Sequence, residues 1–175
     1  MTKVTTPAVR PMPCLAIILA DVRSAQNVGA ILRTADAVGA ELVITCGITP
    51  HPQQPNDPRP GHVAASNHRA IAKTALGAEL TVPQQHFATL EAAIKHMRHH
   101  HYSIAALEQA ENSQPLFDFT TPSQLALVVG PEVAGLALAD LALCDTILEL
   151  PMLGRKESLN VSVAAGIALY RLRFG

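Results

Sequence analysis

The sequence predicts an α/β fold, a mostly parallel sheet flanked by helices, on three observations. Short continuous apolar runs recur along the chain, segments of helical periodicity alternate with them, and Gly or Pro stands at many of the junctions. A strand covered on both faces loses the alternation of a half-exposed strand and reads as an unbroken apolar run, and crossover helices provide the cover. The chain's 175 residues suffice for one domain with a core of its own, so 1–175 is expected to be a single domain.

The elements follow in order. Residues 15–19 read as a buried strand, and 27–38 as a helix with Val28, Ile31, Leu32 and Ala35 on one face. Strands are then expected at 42–45 and 80–82, a helix at 90–99, strands at 103–107 and 125–129, a helix at 136–143 and a strand at 146–150. Pro151 stops that strand, the chain turns through Gly154, and a last helix is entered at Ser158. Between Gly47 and Gly61 stand Pro50, Pro52, Pro55, Pro58 and Pro60. Locked φ angles and missing N–H groups at that density exclude helix and central strand, leaving a binding loop or a plain surface linker.

The last helix departs from the pattern of the others. Val161, Ala164, Ala165, Ala168 and Leu172 form one stripe while Val163, Ile167 and Leu169 lie off it, so apolar side chains point nearly all round. Such a helix must be covered on every side, by its own domain, by a second subunit, or by both.

Composition narrows the function classes. Net charge is −1, which argues against a general polyanion binder without excluding a local basic face. Arg23, Arg33, Arg59, Arg69 and Lys73 cluster in the first half, and Arg155, Lys156, Arg171 and Arg173 near the end. With no Trp, two Tyr and four Phe, stacking platforms for bases are scarce, so phosphate contacts and shape would have to hold any nucleic acid. Cys14, Cys46 and Cys144 are an odd, scattered set and read as reduced core residues of a cytoplasmic protein. His99, His100 and His101 are adjacent and point different ways, which fits a solvated helix C-terminus better than a metal site; no metal is expected. No signal-peptide core is present and no apolar run approaches the roughly 20 residues of a membrane span, so no membrane partner is expected.

Three polar insertions interrupt the apolar fold. In the first, Asn27 to Ala35, Arg33 falls away from the apolar stripe; a solvated charge, a capping Asn27 and a Gly29 that merely permits packing would be the structural explanation. In the second, Gly130-Pro131-Glu132-Val133-Ala134-Gly135-Leu136, a buried strand ends at bare backbone that a ligand can approach, although a helix start with Glu132 near its positive end is the alternative. The third is the junction from Leu150 to Ala164, where Ser158 would be an N-cap on the structural explanation. That explanation leaves Gly154, Ser158 and Asn160 unaccounted for beside so apolar a helix.

Together these resemble the ordered motifs of the SpoU/TrmH branch of the SPOUT, or α/β-knot, RNA methyltransferases. N-x-G-x-x-x-R-T-A matches Asn27 to Ala35, G-[NP]-E-x-x-G-L matches Gly130 to Leu136, and P-M-x-G-x-K-x-S-L-N-V-S-V-A matches Pro151 to Ala164. The resemblance implies a C-terminal deep trefoil knot, which no propensity argument would reach. It also implies methyl transfer from S-adenosylmethionine to a ribose 2'-hydroxyl of RNA, by a homodimer in which Arg33 of one subunit approaches the donor held by the other.

On that resemblance Arg33, Asn27, Glu132, Ser158 and Asn160 are the catalytic set, and Gly130, Leu150, Met152 and Leu159 border the donor. Arg23, Arg59, Arg69, Lys73, Arg155 and Lys156 are the expected RNA contacts. Transfer RNA is expected over ribosomal RNA, with no appended RNA-binding domain. The rival readings are a knotted methyltransferase acting on ribosomal RNA or on a base nitrogen, a nucleotide-binding regulator without catalysis, and a serine hydrolase using Ser158. The last lacks a G-x-S-x-G elbow.

Overall fold

Seven parallel strands form one sheet in a computed structural model that describes residues 12–175. The chain runs β1 (Cys14–Ala20), α1 (Ala25–Val38), β2 (Leu42–Cys46), α2 (Gly61–Ala75), α3 (Ala78–Thr81), β3 (Gln84–Phe87), α4 (Leu90–His99) and β4 (Ser103–Leu107). It continues through β5 (Gln114–Pro115), a 3-10 turn (Leu116–Asp118), β6 (Gln124–Val129), α5 (Leu138–Leu141), β7 (Thr146–Glu149) and α6 (Val161–Phe174). The sheet order is β3-β2-β1-β6-β4-β7-β5, which is the parallel α/β fold the apolar runs predict.

Alternation within β1 divides the core. Leu15, Ile17 and Leu19 face a layer containing α1, α2 and α6, whereas Ala16, Ile18 and Ala20 face α4 and α5. Both sets are buried, which is why the strand reads as an unbroken apolar run. Helices α1 and α2 approach so closely that a Cβ on Gly29 would collide with the Ile71 carbonyl and the Thr74 hydroxyl, so Gly29 is a packing residue.

Several elements differ from the sequence expectation, β5 and the 3-10 turn among them. No strand forms at 80–82: Gly77, at φ 101°, starts the short helix α3, and Leu80 is exposed. The strand here is β3, whose pattern is polar because it pairs with β2 alone at the sheet edge. Helix α2 carries only Ala64, Ile71 and Ala75 as buried residues, too sparse a stripe to announce itself in the sequence. The helix expected over 136–143 shrinks to α5, and the last helix starts at Val161 with Asn160 as its N-cap, three residues later than expected.

Helix α6 is also less enclosed than its composition suggests. Val161, Ala165, Ala168, Leu169 and Leu172 are buried, but Val163, Ile167, Tyr170 and Phe174 remain 50%, 38%, 50% and 60% exposed. At helical spacing these four form one outward apolar stripe. Two basic residues near the end of the chain fasten the helix. Arg171 donates to the carbonyls of Phe117 and Phe119, and Arg173 to those of Pro13, Val38 and Gly39.

The Pro-rich stretch is an ordered loop. Arg59, 19% exposed, pairs with Asp57 at 2.6 Å and donates to the carbonyls of His51 and Pro52. Its guanidinium holds the Asp57 carboxyl well below the usual carboxylate range. His51 is buried and stacks on His86 with ring centroids 4.2 Å apart; burial, then the His86 and Arg59 charges, push it down to about 4, so it is neutral at physiological pH. Burial likewise pushes the Cys46 thiol up to about 12 and the Cys144 thiol to about 11, which keeps both as inert thiols. His99, His100 and His101 are exposed at the end of α4. No helix among the described residues is long and apolar enough to cross a membrane.

Candidate active site

Parallel strands present their ligands at the carboxyl edge, where the connecting loops diverge. Here the ends of β6, β4 and β7, adjacent in the sheet, enclose a cleft of about 240 Å³. Leu107 to Gln109, Val129 to Gly135, Leu150, Met152, Glu157 to Leu159, Val161 and Ala164 form its walls. All four residues expected to border a donor, Gly130, Leu150, Met152 and Leu159, lie on it, as do Glu132 and Ser158. Gly130 is bare for an internal reason: a Cβ there would lie 2.8 Å from Leu136 Cγ.

The three motifs meet in one hydrogen-bonded chain. Glu132 Oε1 accepts from Asn27 Nδ2 at 2.9 Å, and Asn27 Oδ1 accepts from Asn160 Nδ2 at 3.2 Å. A carboxylate only accepts, so Glu132 fixes the Asn27 amide with its nitrogen inward and its oxygen free for Asn160. Asn160 Oδ1 in turn accepts from Ser162 N at 2.9 Å and caps α6. Glu132 also accepts from the backbone N–H groups of Arg23 and Ser24 at 3.3 Å each.

The structural explanations raised by the sequence are redistributed among other residues. Ser24, not Asn27, is the N-cap of α1, which frees the Asn27 side chain for Glu132. Glu132 begins no helix of its own and instead binds the approach to α1. Asn160, not Ser158, caps α6, leaving Ser158 exposed on the wall of the cleft.

Arg33 stands apart. It is exposed on α1, beside Thr34, whose side chain lies nearest Gly166 of α6, and it does not line the cleft of its own chain. Of the expected RNA contacts, Arg23, Arg69, Lys73, Arg155 and Lys156 are exposed. Arg59 is the correction: its guanidinium is consumed inside the Pro-rich loop by Asp57 and two carbonyls, so it is a lock for that loop and not a free phosphate ligand.

Sequence reasoning missed Glu108 and Gln109. Glu108 accepts from Leu136 N at 2.9 Å, and a Cβ on Gly135 would lie 2.5 Å from its Oε2; Gln109 donates to the Glu157 carbonyl at 2.9 Å. They thereby tie the second and third motif segments to β4. The signal was their place directly after a buried parallel strand.

Burial of Glu132 favours the protonated form, yet the hydrogen bonds from Asn27, Arg23 and Ser24 outweigh it and hold the carboxyl below its ordinary range. A lowered folded-state pKa contributes stability that is present above the unfolded value and is lost as pH falls through the folded one. Glu132→Gln should therefore lower the melting temperature at pH 7. The gap from wild type should close as pH drops below the ordinary glutamate value of about 4.3. A gap unchanged down to pH 3 in thermal melts would contradict the charged role of Glu132.

The fold and the cleft define an α/β protein with a cleft at the carboxyl edge of its parallel strands and side chains from three distant segments joined at the mouth. The chain belongs to the SpoU rRNA Methylase family, whose profile it matches over residues 14–170. It is 35% identical over 159 residues to the 23S rRNA (guanosine-2'-O-)-methyltransferase RlmB of Ralstonia nicotianae, covering 90% of this chain and 57% of that protein. It is 32% identical to the tRNA (guanosine(18)-2'-O)-methyltransferase of Escherichia coli K12 over 163 residues, covering 92% and 63%. The chain thus spans about three-fifths of the length of these relatives. An AdoMet-bound rRNA methyltransferase from Sinorhizobium meliloti superposes with a TM-score of 0.74 at 26% identity, covering 93% of this chain and 56% of that one.

Proposed function

We propose that this chain transfers a methyl group from S-adenosylmethionine to a ribose 2'-hydroxyl of RNA. The observation that carries the reading is the hydrogen-bonded chain Glu132–Asn27–Asn160 at the mouth of a cleft on the carboxyl edge. Relatives above 30% identity named as guanosine-2'-O-methyltransferases support it. The residues present fit the donor. Leu107, Leu150, Met152 and Leu159 offer apolar contact, Gly130 and Gly135 bring backbone to the cleft wall, and the carboxylates of Glu108 and Glu157 border the cleft for hydroxyls and positive charge. Bound there, S-adenosylmethionine would supply an electrophilic methyl group.

The protein's part is to bind, orient and stabilise. A neutral hydroxyl is a poor nucleophile, and the charge developing on its oxygen must be met by fixed donors. Arg33, permanently cationic and outward-facing, is suited to that task when contributed by a second copy of the chain. Glu132, Asn27 and Asn160 hold the loop segments in register, and Ser158, free of capping duty, is available to the acceptor or donor.

A homodimer would cover the Val163–Ile167–Tyr170–Phe174 stripe and bring Arg33 to the partner's cleft. A deep trefoil knot belongs to the same reading. The reaction would be cytoplasmic, with transfer RNA as acceptor and Arg23, Arg69, Lys73, Arg155 and Lys156 on its phosphates.

The test is label from methyl-tritiated S-adenosylmethionine incorporated into RNA from cells lacking the protein, followed by nucleoside mass spectrometry. Methyl on ribose, in the transfer RNA pool, is the expected result. Methyl on a base nitrogen, or donor binding without transfer to any RNA, would overturn the reading in favour of the base-modifying or regulatory alternatives.

A further inference from the structure

Adjoining the cleft, and sharing residues 131–134 with it, lies a second hollow of about 530 Å³. Asp21 and Arg23 after β1, Ile48 after β2 and the 131–134 segment line it. The two cavities therefore share one wall, which carries Glu132. We propose that this hollow seats the base of the acceptor nucleotide and that Asp21 selects guanine. The inference rests on the methyl-transfer reading and deepens it, because a nucleotide whose base entered the hollow would hold its ribose at the shared 131–134 segment, beside the donor cleft.

Asp21 is held in place deliberately. It adopts a left-handed backbone conformation at φ 52°, uncommon for a residue with a Cβ. Its Oδ1 accepts from Ile48 N at 3.0 Å, and it lies so close over Gly47 that a Cβ there would collide with it. Its Oδ2 accepts no hydrogen bond among the described residues, and the side chain is exposed to the hollow. Arg23 is exposed on the same rim, placed for a flanking phosphate. Exposed Ile48 offers an apolar surface for a ring.

A carboxylate accepts only, and it matches a ligand edge with two adjacent donors. Among the four RNA bases guanine alone presents such an edge, N1–H beside the exocyclic amine. Adenine and cytosine put a ring acceptor next to their amine, and uracil flanks its single N–H with two carbonyls, so each would turn a lone pair toward Asp21. Bases splayed out of a helix are read on this edge. A polar site of this kind discriminates strongly, because the wrong ligand leaves its charge unpaired.

The test is an NMR titration of the protein saturated with S-adenosylhomocysteine, using GMP, IMP and AMP. GMP should bind best and IMP, which lacks the exocyclic amine, roughly tenfold more weakly, the loss of one charge-assisted hydrogen bond. Asp21→Asn, which keeps an acceptor for Ile48, should abolish the preference for GMP over IMP and leave S-adenosylhomocysteine affinity unchanged. Equal binding of the three nucleotides, no binding of any, or a preference that survives Asp21→Asn would overturn the assignment. Label found only in the ribose of adenosine, cytidine or uridine would also overturn it while leaving methyl transfer intact. Absence of transfer to any RNA with the GMP preference still present would sink the catalytic reading and leave the hollow as a guanine site.

Discussion

Arg33→Ala should lower the rate of methyl transfer by roughly a hundredfold or more, the scale of losing one preorganised donor to a developing oxyanion. Affinity for S-adenosylhomocysteine should stay at its wild-type value. The separation is expected because Arg33 lies outside the cleft of its own chain, on the exposed face of α1. Arg33→Lys should fail nearly as badly, since an ammonium is a point charge and cannot reproduce the planar fork of the guanidinium. Turnover near wild type in Arg33→Ala would remove this residue from the mechanism.

Ile167→Glu is the second large effect. Placing a carboxylate in the middle of the outward stripe of α6 should yield a folded monomer without activity, read by sedimentation and by label incorporation. Ile167 is the informative position because it is 38% exposed, whereas Ala168 is fully buried and a charge there would disturb the fold itself. Mixed subunits sharpen the result. Neither Arg33→Ala nor Asn160→Ala should be active alone. Mixing them should restore about one quarter of wild-type activity, because half the dimers are mixed and each has one intact site. An active wild-type monomer, or mixing without rescue, would refute a site shared between subunits.

The cleft was legible because its makers are short motifs at strand ends. The family resemblance pointed to Gly130, Leu150, Met152 and Leu159, and all four line the cleft; Gly130 and Leu150 directly follow buried strands, whose carboxyl ends open onto loops. The roles of the polar residues were less legible. Asn27 and Ser158 have the composition of helix caps, and only the positions of Ser24 and Asn160 show that the caps are supplied elsewhere. Arg59 looked like any surface arginine, because nothing local says that Asp57, two residues away, turns it inward. Helix α2 escaped notice because it packs through small side chains against Gly29, a close approach that leaves little hydrophobic signal.

By itself the sequence determined the parallel α/β class, the positions of the buried central strands, the three motif segments and the outward placement of Arg33. These are local properties, set by the periodicity of apolar residues and by the conformational limits of Gly and Pro. Tertiary structure alone decided the strand order, the edge position of polar β3, and which partners each polar side chain would find. Asn27, Glu132 and Asn160 are joined over separations of more than a hundred residues. A hydrogen bond acts over about 3 Å and carries no record of its partner in the flanking sequence. Packing of the whole sheet is what brings those three groups within that reach.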